Sequence, residues 1–237
     1  MYNSKILAKM IDHSIIHPIM TDQDLIDGCN MAVKYHVACV CVKPYAVKMA
    51  HELLQGTDVA VGAVVGFPAG NSSTEVKAFE TEMAILDGAT EIDMVINIGK
   101  ALGGDWNFIE SEISRIVKLT KKQNTILKVI FENDYLPDDE HKIKLCRICS
   151  QLKVEYVKTS SGYGFVKGQD GKYSYRGATE YDVELMRKHS DPEVGVKAAG
   201  GIRTLDEMLR MVEKGATRIG ATATKTILEE AVKRFGK

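Results

Sequence analysis

The sequence alternates between two kinds of segment along nearly its whole length. Eight short runs rich in apolar and β-branched residues recur, at 10–14, 38–42, 59–65, 91–97, 125–131, 154–159, 194–198 and 217–220. Between them lie longer stretches with the residue spacing of amphipathic helices. Strands that alternate with helices are typical of right-handed βαβ units and of a parallel sheet. The alternation therefore predicts an α/β fold with eight parallel strands.

The length and continuity of this pattern favour one closed (β/α)₈ TIM barrel. Such a barrel needs about 250 residues, close to the 237 of this chain. No linker, charge run or low-complexity tract divides the units. The alternative is an open doubly wound sheet, but no G-x-G-x-x-G follows the first run. We expect a single barrel domain over residues 1–237.

Several helix starts can be read directly. A Ser or Thr followed three residues later by Asp or Glu can satisfy the free amides of a first helical turn, and this pattern occurs at Thr21/Asp24, Ser72/Glu75, Thr179/Asp182 and Thr204/Glu207. After Ser72, large apolar residues recur at helical spacing and predict a face that packs against the sheet; they are Val76, Phe79, Met83 and Leu86.

Composition limits the kinds of partner and the cellular compartment that we expect for this chain. A net charge of −1 argues against nucleic acid or an anionic membrane as the main partner. No apolar stretch approaches membrane-spanning length, and the first residues lead into no signal-peptide core, so we expect a cytoplasmic protein. Of the five cysteines, Cys146 and Cys149 form a C-x-x-C inside a predicted helix without a second ligand pair. We expect reduced, structural thiols and no bound metal.

One segment interrupts the alternation. Residues 163–177 contain four glycines and no helical period, and Gln169-Asp170-Gly171-Lys172 is typical of a hairpin turn. Because the segment follows the sixth run, we expect it at the barrel face that carries the chemistry. A disordered loop and a small hairpin lid both fit the sequence.

Charged residues inside the apolar runs mark the candidate active site. The carboxyl ends of barrel strands face the substrate. Asp93 lies in the fourth run, Lys128 in the fifth, Lys158 in the sixth and Lys197 in the seventh, and Glu132 directly follows the fifth. Any one of these lysines alone would be interpreted as an exposed residue at the end of a strand. Three lysines on consecutive strands instead predict a shared site.

These residue types suit covalent catalysis by an amine. Burial of an ammonium without a partner is costly, so it must pair with an acid or lose its proton. A neutral lysine can attack a carbonyl to form a Schiff base, and desolvation or a second cation lowers its pKa towards neutrality. A nearby carboxylate can then move protons.

A phosphate site is predicted at the same face. Gly200 and Gly201 lie between the seventh run and a capped helix, and Gly220 and Thr222 lie between the eighth run and the last helix. Small residues there let backbone amides approach an anion, and barrels often bind phosphate after strands seven and eight.

Together these segments resemble the deoxyribose-phosphate aldolase family, whose members are class I aldolases with a (β/α)₈ barrel. The resemblance runs from about Asp12 to the last helix. Its motifs are Val65-Gly66-Phe67-Pro68, Glu91-Ile92-Asp93-Met94-Val95-Ile96-Asn97, Leu127-Lys128-Val129-Ile130, Val157-Lys158-Thr159-Ser160-Ser161-Gly162 and Lys197-Ala198-Ala199-Gly200-Gly201-Ile202-Arg203.

The resemblance implies a role for each matching residue. Lys158 would be the Schiff-base lysine, Lys197 the lysine that tunes it, and Asp93 the proton-transfer group, with Lys128 linked to Asp93. Thr159 and Gly162 would join the glycines and Thr222 in binding the substrate and its phosphate. The implied reaction is reversible cleavage of 2-deoxy-D-ribose 5-phosphate to D-glyceraldehyde 3-phosphate and acetaldehyde, without a cofactor. A homo-oligomer is compatible with the sequence, which does not determine the oligomeric state.

Three other functions remain open at this point. Another Schiff-base aldolase acting on a different phosphorylated sugar would share these residues. A metal-dependent lyase would need histidine and acid ligands at strand ends, and here His13 alone offers one; a structural role for His13 is the other interpretation. A non-catalytic phosphosugar sensor would explain the glycines but not the lysines.

Overall fold

The computed structural model describes residues 2–236, and eight of its strands close into a barrel. The strands are β1 (Ile11–Ile15), β2 (Cys39–Val42), β3 (Ala60–Val65), β4 (Glu91–Val95), β5 (Ile126–Ile130), β6 (Tyr156–Lys158), β7 (Val166–Lys167), β8 (Tyr173–Ser174), β9 (Gly195–Ala199) and β10 (Arg218–Ala221). The barrel order is β1-β10-β9-β6-β5-β4-β3-β2, with every pairing parallel. The predicted barrel is confirmed. Each barrel strand overlaps a predicted run and extends at most one residue beyond it.

Helices connect the strands and cover the outside of the barrel. They are α1 (Ser4–Ala8), α2 (Asp22–Tyr35), α3 (Val47–Leu54), α4 (Thr74–Leu86), α5 (Ile98–Leu102), α6 (Trp106–Lys122), α7 (Asp139–Gln151), α8 (Glu180–His189), α9 (Leu205–Glu213) and α10 (Thr224–Phe235). None of the helices within residues 2–236 is long and apolar enough to cross a membrane.

Three of the four predicted helix starts are confirmed. Thr21 and Thr204 form complete capping boxes, and the Thr179 side chain accepts the backbone N–H of Asp182. The fourth prediction is wrong by one residue, because Ser73 rather than Ser72 caps α4 and accepts the backbone N–H of Val76. The extended backbone of Ser73 places its hydroxyl over the first turn, so the helix begins at Thr74.

The predicted packing of α4 is also wrong. Its large apolar side chains do not face the barrel: Val76, Phe79, Met83 and Leu86 are 50%, 63%, 41% and 78% exposed. The buried face instead carries Ala78, Thr81, Ala84 and Lys77. Small residues let α4 approach closely, and Lys77 is stabilised there by an ion pair with Glu112 of α6 (2.7 Å). Helical periodicity identifies an apolar face but does not say what covers it.

The segment 163–177 forms an ordered hairpin rather than a disordered loop. β7 and β8 pair antiparallel, and the backbone N–H of Gly168 donates to the carbonyl of Lys172. The loop after β5 holds the hairpin at its base. The carboxylate of Asp134 accepts the N–H groups of Arg176 (2.8 Å) and Gly177 (2.9 Å).

Candidate active site

The strand register places the predicted lysines and acid side by side. Asp93 on β4 is the register partner of Lys128 on β5, and Lys158 on β6 is the partner of Lys197 on β9. Neighbouring residues in register point to the same side of a sheet. Here that side is the barrel interior, where all four side chains are buried.

Asp93 is the centre of this group. Its Oδ2 lies 2.6 Å from the amine of Lys158 and 2.7 Å from that of Lys197, and its Oδ1 lies 3.0 Å from that of Lys128. One carboxylate therefore joins three lysines from three strands.

The interior also holds three charged residues that were not selected from the sequence. Asp12 on β1 contacts Lys128 (2.7 Å), Lys197 (2.5 Å) and the guanidinium of Arg218 on β10 (2.7 Å). Glu91 on β4 contacts Lys128 and, at 3.4 Å, Arg218. We call the seven residues the buried charge cluster: Asp12, Glu91, Asp93, Lys128, Lys158, Lys197 and Arg218.

The charge cluster becomes electrically neutral when one of its basic groups loses a proton. Four basic groups face three carboxyl groups, so the cluster carries an excess positive charge when every basic group is protonated. Because unbalanced charge is costly in a buried site, loss of one proton from one amine is favoured.

The pKa directions identify which amine loses it. Burial, helped by the neighbouring Lys197, lowers the pKa of Lys158 below that of an ordinary lysine, although Asp93 opposes this. Burial also disfavours the charged forms of Lys128 and Lys197, but carboxylates outweigh it and raise the pKa of both. Lys158 is therefore the amine in the cluster that most readily becomes neutral.

The same pairing keeps Asp93 ionised. Burial raises the pKa of a carboxyl group, but Lys128, Lys158 and Lys197 outweigh that effect and hold the pKa of Asp93 well below its usual value. Asp93 is therefore an ionised carboxylate in the resting site.

A cavity of about 540 Å³ opens above the charge cluster, and Lys158 forms part of its wall. Gly162, Gly200, Gly201, Gly220 and Thr222, the predicted phosphate-binding residues other than Thr159, all line it. In the described part of the chain, no side chain caps the start of α10 beside Thr222, which leaves first-turn amides available to an anion. The hairpin completes the wall with Tyr163, Phe165 and Tyr175, and residues after β1 close the other side.

Comparison with known proteins identifies the family of this chain. Residues 6–230 match the family model described as DeoC/LacD family aldolase. The chain belongs to this family. The aldolase is 46% identical over 230 residues to a deoxyribose-phosphate aldolase of Rhodopirellula baltica, a match that covers 97% of this chain and 91% of the relative. It is 45% identical to the enzyme of that name from Thermococcus gammatolerans, over 95% of this chain and 96% of the relative.

Solved structures show the same fold. The structure of a tetrameric deoxyribose phosphate aldolase from Aeropyrum pernix superposes on this aldolase with a TM-score of 0.85 and 30% sequence identity. The superposition covers 96% of this chain and 91% of the other.

Two predicted residues lie elsewhere in the aldolase. Thr159 does not line the cavity: it is fully buried, and its hydroxyl donates to the carbonyl of Ala199 (3.1 Å), tying the end of β6 to β9. His13 points away from the charge cluster, and its Nδ1 lies 2.9 Å from the hydroxyl of Thr224. Burial lowers the pKa of His13 to about 4. The structure supports the structural interpretation of His13.

Within residues 2–236, one group of side chains has the spacing of metal ligands. Asp12, Cys39 and Glu91 offer atoms within 4.8 Å of one another. Both carboxylates are already paired with Lys128 and Arg218, and burial raises the pKa of the Cys39 thiol well above its usual value. A cation there would have to displace these ion pairs, so the group does not fit a metal site.

Proposed function

We propose that this aldolase cleaves 2-deoxy-D-ribose 5-phosphate reversibly to D-glyceraldehyde 3-phosphate and acetaldehyde, through a Schiff base on Lys158. One observation carries the proposal: Lys158 alone among the four basic residues of the charge cluster has a lowered pKa, and it forms part of the cavity wall. The printed names of the full-length relatives support the substrate.

Each step of the reaction balances with groups in the cluster. The neutral amine of Lys158 adds to the aldehyde carbon of the open-chain sugar, and loss of water gives the iminium. When the C3 hydroxyl loses its proton, the C2–C3 bonding pair moves towards the iminium. D-Glyceraldehyde 3-phosphate leaves, and an enamine remains on Lys158. Protonation of the enamine and addition of water release acetaldehyde and restore the amine.

Asp93 and Lys197 divide the proton transfers in this proposal. Asp93 is ionised at rest and contacts Lys158 at 2.6 Å, so it can accept a proton as the amine attacks. Lys197 keeps its proton and contacts the same carboxylate oxygen, so it can return one through Asp93. Lys128 holds the other oxygen of Asp93 and fixes the orientation of the carboxylate.

The phosphate of the substrate is proposed to lie among Gly200, Gly201, Gly220 and Thr222. These residues line the cavity on the β9 and β10 side, and Arg203 adds a positive charge at the rim. Backbone amides at a helix N-terminus stabilise an anion. Such a site would set the substrate length by its distance from Lys158.

Self-association is a further part of the proposal. Val76, Phe79, Met83 and Leu86 form an exposed apolar face along α4, and contiguous apolar surface is typical of interfaces between proteins. The relative from Aeropyrum pernix is a tetramer by its description. Sedimentation of the wild type and of Phe79→Glu tests this, and a monomeric wild type would contradict it. The five free, buried thiols fit the expected cytoplasmic location.

A substrate panel under chelation tests the proposed reaction. The enzyme is incubated with 2-deoxy-D-ribose 5-phosphate and, separately, with other phosphorylated aldoses and ketoses, while coupled assays detect each aldehyde product. We expect the deoxy sugar to turn over with the highest kcat/KM, and excess EDTA to leave this unchanged. Preference for another phosphosugar would make the chain a different Schiff-base aldolase, and activity restored by zinc would contradict the metal-free mechanism.

A further inference from the structure

The chain leaves the barrel immediately after Lys158, because β6 ends at that residue. The two residues that follow, Thr159 and Ser160, form hydrogen bonds to the segments on both sides of β6. The carbonyl of Thr159 accepts the N–H of Asn133 (2.9 Å), and the hydroxyl of Ser160 donates to the carbonyl of Ala199 (2.8 Å). Among residues 2–236, the hydrogen bonds of Ser161 go to other segments than β9.

Glu132 contacts Ser161 from the loop after β5. Its carboxylate accepts the backbone N–H of Ser161 (3.1 and 3.2 Å to the two oxygens) and also the hydroxyl of Ser161. The same hydroxyl oxygen accepts the N–H of Tyr163 (3.0 Å). The Glu132 carboxylate thus links the segments that follow β5 and β6, beyond the last backbone hydrogen bond between them.

The local backbone is arranged for this contact. Glu132 is 1% exposed and has a φ of 59°, in the left-handed region that residues other than glycine rarely adopt. A side chain built on Gly164 would approach the Glu132 carboxyl group to 2.8 Å, so the chain after β6 wraps closely around it. A rare backbone conformation held directly behind a cavity wall is consistent with a functional position.

The charges around Glu132 are few. Burial raises the pKa of its carboxyl group to about 7, the hydrogen bonds from Ser161 oppose this, Asp134 on the same loop raises it further, and Lys158 lowers it. Tyr135 is the other titratable neighbour on the loop. Lys158 and the hydrogen bonds from Ser161 thus favour the carboxylate form of Glu132, which accepts both the N–H and the hydroxyl of Ser161.

We propose that Glu132 is a positioning residue for the aldol reaction. Acting through Ser161, it fixes the part of the cavity wall formed by Ser161 and Gly162 beside Lys158, and so sets the affinity for the phosphosugar. The proposal rests on the proposed function of Lys158. Glu132 does not line the cavity itself, and it is assigned no contact with the reacting atoms.

Four variants test this role: Glu132→Ala, Glu132→Gln, Ser161→Ala and Ser161→Thr. We expect Glu132→Ala to raise KM for the phosphosugar by about tenfold or more, the size of one or two lost charge-assisted hydrogen bonds. Acetaldehyde is too small to depend on the wall, so its borohydride-trapped adduct should form within about threefold of the wild-type rate. Glu132→Gln keeps one uncharged acceptor oxygen for Ser161, so its KM should rise less than that of Glu132→Ala.

The serine variants keep the test decisive if Glu132→Ala does not fold. Ser161→Ala should raise KM, whereas Ser161→Thr retains the hydroxyl and should not. In the double variant of Glu132→Ala and Ser161→Ala, the rise in KM should be smaller than the product of the two single effects, since both changes remove the contact between the carboxylate and the Ser161 hydroxyl. Independent, multiplying effects would overturn the proposal, as would equal KM values for the two serine variants.

The two proposals fail in different ways. If wild-type enzyme forms no adduct on Lys158, the proposed function is wrong. If the wild type is trapped on Lys158 but Glu132→Ala leaves KM unchanged, or if Glu132→Gln is as impaired as Glu132→Ala, the positioning role alone is wrong.

Discussion

Replacement of Lys197 by leucine tests how the charge cluster controls Lys158. The two amines contact the same oxygen of Asp93, at 2.6 and 2.7 Å. Removal of the Lys197 charge takes away a repulsion and leaves Asp93 freer to stabilise the ammonium of Lys158. Both effects raise the pKa of Lys158. The neutral amine would therefore appear only at higher pH.

The size of this shift follows from the geometry. Two unit charges about 4 Å apart interact by roughly 4 kcal/mol at an effective dielectric constant of about 20. At about 1.36 kcal/mol per pKa unit, this sets an upper limit of roughly three units. Burial, the largest cause of the lowered pKa, remains in the variant. We therefore expect a shift of about one to three units upward.

The assay is the rate of borohydride trapping by acetaldehyde as a function of pH. In Lys197→Leu the rate should still rise with pH, but its midpoint should move upward by the amount above. Lys197→Arg is the matched control, because it keeps a positive charge at this position and should keep the wild-type midpoint. Equal midpoints in both variants would refute the electrostatic reasoning, provided that both retain the wild-type circular dichroism spectrum.

Three further predictions concern other parts of the enzyme. Gly201→Asp should raise KM for the phosphosugar at least about tenfold relative to Gly201→Asn, which has the same shape and the same backbone strain but no charge; equal KM values would place the phosphate elsewhere. Replacement of residues 163–177 by a short glycine-containing turn should raise KM for the phosphosugar while acetaldehyde trapping stays nearly intact, and unchanged kinetics would show that the hairpin is a passive insertion. Glu112→Ala should lower the free energy of unfolding by about 3–5 kcal/mol, because Lys77 is left charged and buried, whereas Lys77→Met with Glu112→Leu should lose much less; urea denaturation that shows equal losses would contradict this.

The lysines and the acid of the site could be predicted from the sequence because they share one feature: each is a charged residue within an apolar run. Lys128, Lys158, Lys197 and Asp93 all interrupt apolar runs, and the structure brings each of the three amines into contact with Asp93. Asp12, Glu91 and Arg218 interrupt runs as well and satisfy the same criterion, yet they were not selected. The closure of the barrel brings Asp12 on β1 against Lys128 on β5, and sequence order gives no sign of that contact.

Other features of the fold and of the site could not be predicted, because they depend on the tertiary contacts around a segment. The apolar residues of α4 have helical spacing, but the spacing cannot show that Lys77 and small residues face the barrel. The hairpin had a clear turn signal, whereas its strands of two residues each are too short for a strand pattern. Thr159 lies within a recognisable motif, yet its hydroxyl contacts Ala199 rather than the cavity. Each of these outcomes depends on tertiary contacts that no local pattern records.

The role of Lys158 is tested most directly by mapping the reduced adduct. Wild-type enzyme is treated with acetaldehyde and borohydride, digested, and analysed by mass spectrometry, beside Lys158→Arg as the matched variant. An ordinary lysine with a pKa of about 10.4 is almost fully protonated near pH 7, so a single labelled residue would identify the amine with the lowered pKa. We predict an ethyl group on Lys158 alone and none in Lys158→Arg, since a guanidinium cannot form the imine. A label on Lys197, or persistent labelling at the site in Lys158→Arg, would contradict the account.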